Sequence, residues 1–190
     1  MLFRSVTIDG NYTIDDLTIG AAGVLQPETT GEFTLTITGN ITCTDATPNI
    51  DGSNSNGILN IIIDNSTTKS ITAGAANSIE FYDLTLTEGS AITIDNGCKL
   101  EGDLVVNNNA SFTQSTGTFT VFGTNSTITN ASLGTLDFLN LYFASTATNA
   151  SSASSFEVSR SIEIASSAKF QASAGTIAMN MASAAALVTP

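Results

Sequence analysis

Two pairs of carboxylates, Glu80 with Asp83 and Glu101 with Asp103, come nearest in this chain to a catalytic spacing. Two acids facing one another across a sugar can cleave a glycosidic bond, one as general acid and the other as base or nucleophile. The rest of the sequence does not support that chemistry. There is no histidine, which removes the commonest acid–base group and the triads built on it. Sugar clefts display aromatic side chains, yet there is no tryptophan, and the tyrosines are Tyr12, Tyr82 and Tyr142. The basic residues Arg4, Lys69, Lys99, Arg160 and Lys169 are scattered. Glu80 and Asp83 also have counterparts, Asp137 and Asn140, in an internal repeat. A recurring polar position is a turn or ladder residue before it is an active-site acid. The expectation is a protein without catalytic residues and without a cofactor.

A softer possibility is calcium. The segment from Asp51 to Gly57 places oxygen-bearing side chains at alternate positions, Asp51, Ser53 and Ser55, as a hard cation prefers. It lacks the bidentate glutamate and the several carboxylates of a strong site, so a polar surface loop is the better reading. Cys43 and Cys98 occupy apolar, strand-like contexts with no metal-ligand spacing. They read as two buried free thiols, with a disulfide as the alternative. Thr-x-Thr arrays at Thr34, Thr36 and Thr38, and at Thr85 and Thr87, raise the idea of an ice-binding face. The internal repeat aligns Thr85 and Thr87 with Tyr142 and Ala144, which breaks the array, and threonine is also a good exposed strand residue. Seven Asn-x-Ser/Thr sequons, from Asn11 to Asn149, permit glycosylation in a suitable host.

Charge excludes two classes of partner. Seventeen acidic and 5 basic residues give a net charge of −12. Nucleic-acid binding needs lysine and arginine to displace counterions, and an anionic membrane surface needs them too. No stretch approaches the ~18 apolar residues of a membrane span. Residues 1–20 contain no apolar secretory signal. Only 12% of the chain is charged while 42% is hydrophobic, so disorder is rejected.

The elements that carry these residues are strands. Apolar positions alternate with polar ones at Leu17 and Ile19, Phe33, Leu35 and Ile37, Leu84 and Leu86, Leu104 and Val106, and Ile162 and Ile164. Asp9-Gly10, Gly39-Asn40, Asn96-Gly97 and Asn107-Asn108-Asn109 punctuate them as turns. Residues 78–122 recur at 135–180: Phe81 with Phe138 and Leu84 with Leu141 at an offset of 57, then Leu100 with Val158, Leu104 with Ile162, Phe112 with Phe170 and Val121 with Met179 at 58. The first third is a longer copy, in which Leu17 matches Leu84, Ile41 matches Leu104 and Ile61 matches Val121. Its extra residues fall at Gln26–Glu32 and Asp45–Asn56, expected as protruding loops. A fixed period in strand-forming sequence means stacked units sharing one core. Each long repeat divides into three strand-rich segments of roughly one solenoid turn. The fold expected is all-β, a single parallel β-solenoid of roughly nine rungs, from three repeats at about 5–77, 78–134 and 135–190. Leu, Ile, Val and Phe would point inward, Thr and Ser outward. An antiparallel sandwich explains the alternation but not the repeat.

The recurring phrase EFYDLTL, EGDLVV, SFTQSTGTF is echoed by DFLNLYF, SRSIEI, KFQASAGTI. It resembles the β-strand repeats of large bacterial surface proteins and adhesins. That resemblance implies an extended, secreted, non-catalytic stalk or adhesive module at the cell surface, with a surface glycan among its partners. A phage or virion fibre is the alternative. A parallel stack has an open edge at each end, so end-to-end self-association, or continuation into a larger protein, is expected. The contact residues expected are Leu2, Phe3, Val6, Ile177, Met179, Met181 and Leu187.

Overall fold

The computed structural model describes residues 6–44, 49–54, 56–76, 78–152 and 154–180. Leu2, Phe3, Ser55, Met181 and Leu187 lie outside them. The chain winds as a succession of short strands around one apolar core, and the strands fall on three faces visited in a fixed order. The first face carries Val6–Ile8, Leu25–Pro27, Ile50–Asp51, Ile79–Phe81, Lys99–Leu100 and Phe119–Val121, then the second halves of Thr135–Phe143 and Phe156–Ile164. The second face carries Tyr12–Ile14, Thr30–Ile37, Asn56–Ile63, Leu84–Leu86, Leu104–Val106, Thr127–Asn130, Ala150–Ser152 and Phe170–Ala172. The third carries Leu17–Ile19, Ile41–Cys43, Lys69–Thr72, Ala91–Asp95, Ser111–Gln114, the first halves of Thr135–Phe143 and Phe156–Ile164, and Ile177–Met179. Neighbours on each face pair in parallel, as in Leu84 with Ile61 and Leu104. The expected parallel β-solenoid is therefore the fold, with no helix among the described residues.

It has about seven turns, not nine rungs. The reason lies in the repeat. Phe81 stacks on Leu100 and Leu100 on Val121, which is two turns on the first face. The chain then crosses only the second and third faces before it reaches Phe138. One sequence repeat therefore spans two turns and two faces of the next. Every matched residue lands one face away: Phe81 on the first face but Phe138 on the third, Leu84 on the second but Leu141 on the first. Sequence period and structural period differ, so residues matched by the repeat do not stack. At ~4.8 Å between strands, the body is roughly 34 Å tall.

The other correction concerns Gln26–Glu32. This segment is not a protruding loop: Leu25–Pro27 is a first-face strand, and Thr30–Ile37 pairs along its whole length with Asn56–Ile63. The extra residues lengthen strands. Within Asp45–Asn56, Ile50–Asp51 continues the first face, and Ser53–Asn54 folds back antiparallel onto the start of Asn56–Ile63.

The alternation explains the packing. Inward columns such as Leu35, Ile61, Leu84, Leu104 and Ile128 are at most 2% exposed. Each such side chain contributes about 1.5–3 kcal/mol by leaving water. The upper turns are filled by phenylalanine: the Phe138 ring lies 5.3 Å from Phe112, 5.2 Å from Phe119 and 5.6 Å from Phe156. Corners are tied by uncharged polar side chains reaching the next turn's backbone. Asn65 accepts from Ala91 N–H at 2.9 Å and donates to the Ala91 carbonyl at 3.2 Å. Asn96 donates to the Ala73 carbonyl at 2.7 Å, and Asn107 to Leu86 at 2.8 Å. This is why the chain is rich in Asn, Ser and Thr and poor in charge. At one corner Gly97 and Gly117, at φ 73 and 75, lie directly over one another's turns, against Thr118 and Asn96 backbone.

Candidate functional site

The four carboxylates singled out by sequence meet at the corner between the first and second faces. Glu80 ends up beside Lys99 of the next turn, with an ion pair at 3.5 Å. Asp83 accepts the Asp103 backbone N–H at 2.6 Å, a stacking of turns twenty residues apart. An open groove of about 420 Å³ follows, lined by Tyr82, Asp83, Glu101, Asp103, Thr124 and Asn125. Tyr82, Thr124 and Asn125 escape a reading by repeats, because they enter through stacking; the spacing from Asp83 to Asp103 is the signal that would have found them.

Electrostatics at this corner follow from crowding. Burial pushes the Glu80 carboxyl above its ordinary range; Lys99 opposes the shift, and Asp51 and Glu101 reinforce it. Burial also raises Asp83, against the bond from Asp103 N–H, with the Asp103 and Glu32 carboxylates adding to the rise. Tyr82 is raised by burial first and then by Asp83, Glu101 and Asp103. Two of the calcium candidates, Asp51 and Ser53, make contacts with neighbouring protein groups. Asp51 accepts the Ser53 N–H at 3.3 Å, and the Ser53 hydroxyl donates to Glu101 at 2.6 Å. Among the described residues no three His, Cys, Asp or Glu side chains form a metal-holding group. Chemically the corner keeps its Glu80 and Asp83 carboxyls protonated to higher pH than usual. Cys43 and Cys98 are buried free thiols.

The threonine array looks different once true register replaces the sequence repeat. Thr85 stacks between Ile62 and Val105, in an outward column that runs Thr13, Thr36, Ile62, Thr85, Val105, Thr129. The column is uncharged. Two residues to either side on the same face, however, stand Asp15, Asp64, Asp83 and Asp103.

The remaining candidates sit at the two ends. Val6, Tyr12 and Met179 occupy inward positions, since their strand partners Leu25, Leu35 and Val158 are core residues. Yet they are 46%, 48% and 39% exposed. Ile14, Leu17, Phe170 and Ile177 are likewise only partly covered. Val6, Ile177 and Met179 lie on the first and last described strands; Tyr12, Ile14, Leu17 and Phe170 are further partly covered residues near the ends. Sequence reading missed them because a core side chain at an end rung looks like any other core side chain until the coil is counted. No helix among the described residues is long and apolar enough to cross a membrane. No protein-family model, no curated protein and no solved structure matches this chain.

Proposed function

We propose that the chain is a non-catalytic structural solenoid, a stalk, adhesin module or filament subunit at a cell surface, which works by continuing its β-stack through its end rungs. The observation that carries this reading is the exposure of Val6, Tyr12 and Met179 at the ends of core columns. Apolar side chains at inward positions are stable when another rung covers them. Two further features support a load-bearing role over a binding pocket. Corner side chains are spent on rung-to-rung bonds, such as Asn65 to Ala91 and Asn107 to Leu86. The acids of this corner are likewise engaged: Asp83 with Asp103 N–H and Glu101 with Ser53 in the groove, and Glu80 beside it with Lys99.

Negative-stain electron microscopy and sedimentation across a concentration series test the reading. Rods whose length grows in steps of eight strand spacings, roughly 38 Å, are the expected result. Particles of one length at every concentration overturn it, and a side-by-side trimer would point to a virion fibre instead.

A further inference from the structure

We infer that two copies of this chain join head to tail in a single rotational setting, the first rung of one continuing the coil of the other. The inference rests on the end-to-end reading and specifies its geometry. It starts from the order of the faces. The first described strand, Val6–Ile8, lies on the first face, and the last, Ile177–Met179, lies on the third. The next face in order is the first. A coil ends in a step rather than a plane, because each strand sits a fraction of a turn above the one before. The two steps interlock only when Val6–Ile8 of the incoming copy lies on the second half of Phe156–Ile164. Any other rotation leaves one face short by a whole strand spacing, ~4.8 Å.

Following the core columns along each face shows which residues meet in that setting. On the first face, Val6 leads through Leu25, Ile50, Ile79, Cys98, Phe119 and Leu141 to Ile162. On the second, Tyr12 leads through Leu35, Ile61, Leu84, Leu104, Ile128 and Ser152 to Ala172. On the third, Leu17 leads through Ile41, Ile71, Ile94, Gln114, Phe138 and Val158 to Met179. Laying column end on column end sets Val6 on Ile162, Tyr12 on Ala172 and Leu17 on Met179. Apolar meets apolar on all three faces, and the large exposed Tyr12 ring meets a small side chain. The polar positions between them also coincide, Thr7 with Glu163 on the first face, so alternation is in phase. The same shift that sets Tyr12 on Ala172 sets Asp9 on Lys169. The starting rung is acidic at Asp9, Asp15 and Asp16, while the finishing turns balance Arg160 and Lys169 against Glu157 and Glu163. An acidic end repels its own copy more than a neutral one, which favours head-to-tail over head-to-head contact.

Disulfide trapping tests the setting. Thr7 and Glu163 point outward and are exposed, so replacing them leaves the core intact. Across the junction their Cα atoms would stand one strand spacing apart, within the ~4.4–6.8 Å of a disulfide. The double variant T7C/E163C, oxidised at high concentration, should give a ladder of covalent multimers on a non-reducing gel. T7C/Q171C and T7C/A178C, which report the two rotated settings, should remain single bands. The native Cys43 and Cys98, at 2% and 0% exposure, do not compete. A ladder from either rotated pair, or lengthened particles without the T7C–E163C bond, overturns the setting while leaving end-to-end assembly standing. No lengthening of any variant or of the parent chain overturns both.

Discussion

Replacing Phe138 by alanine probes the upper core, and Phe170 by alanine probes the end rung; the contrast between them is the informative quantity. Phe138 is fully buried and touches three other rings, those of Phe112, Phe119 and Phe156, at 5.2–5.6 Å. A buried Phe→Ala change costs about 3–5 kcal/mol, and each lost ring pair accounts for about 0.5–1.5 kcal/mol of such a loss. Phe138→Ala should therefore fall at the upper end, about 4–5 kcal/mol. Phe170 is only partly buried and makes its closest ring contact with Phe143, stacked at 4.5 Å. In a separate chain its loss should cost about half as much or less, about 1–2 kcal/mol. In a joined stack Phe170 gains a covering rung, so its cost should rise with protein concentration while that of Phe138 stays constant. Urea unfolding followed by circular dichroism at low and high concentration measures both. A loss below about 2 kcal/mol for Phe138→Ala would refute the close packing of the four rings. A concentration-independent Phe170→Ala would refute the covered end.

Three other outcomes are expected. Glu80 and Asp83 hold their protons above the ordinary values of 4.5 and 3.8, so their contribution to stability is complete below those values and is lost as pH rises through the raised ones. The double variant Glu80→Gln, Asp83→Asn should lose less melting temperature than the parent between about pH 4 and pH 7; an equal loss would acquit the corner. Asp16 and Asp95, lowered mainly by the Asn40 N–H and the Thr116 hydroxyl, act with the opposite sign and weaken the fold only as pH falls below the usual range. Gly117→Ala forces a left-handed residue, at about 1–2 kcal/mol, and drives a methyl into Asn96 backbone, so it should cost about 3 kcal/mol or more. Gly89→Ala, at φ 76 but facing open space, should cost only the backbone share; equal melting temperatures for the two would refute the contact argument. Burial pushes the Cys43 thiol up to about 12 and raises Cys98 as well. Both should resist an aromatic disulfide reagent until urea unfolds the chain, and rapid native labelling would show that those turns open.

The sequence makes the strands and the stacking legible because alternation and turn residues are local signals. Leu84-Thr85-Leu86 declares its inward side without help, whereas the all-apolar Leu104-Val105-Val106 takes its facing from the strands beside it. The number of turns was hidden because turn length is uneven, 19 residues from Phe81 to Leu100, 21 from Leu100 to Val121 and 29 from Ile50 to Ile79, so a repeat of 57 that looks like three short turns spans only two turns and two faces of the next. The acids at Glu80, Asp83, Glu101 and Asp103 were legible as pairs. Their meeting was not, because it depends on that turn length. Gln26–Glu32 misled because Pro, Gly and Thr near a strand read as a loop, whereas the long partner Asn56–Ile63 holds Thr30–Ile37 extended along its whole length.

The slip of one face per sequence repeat has a bearing on how such a body could gain new contacts. A surface residue carried along when the segment was duplicated does not reappear beneath its parent. It emerges about a third of a revolution around the rod and more than two turns along it. Three copies of one recognition point would therefore be displayed as a sparse spiral, each looking in a different direction. A rod of this kind is suited to separate partners arranged around its circumference, and poorly suited to gripping one flat target with all copies at once.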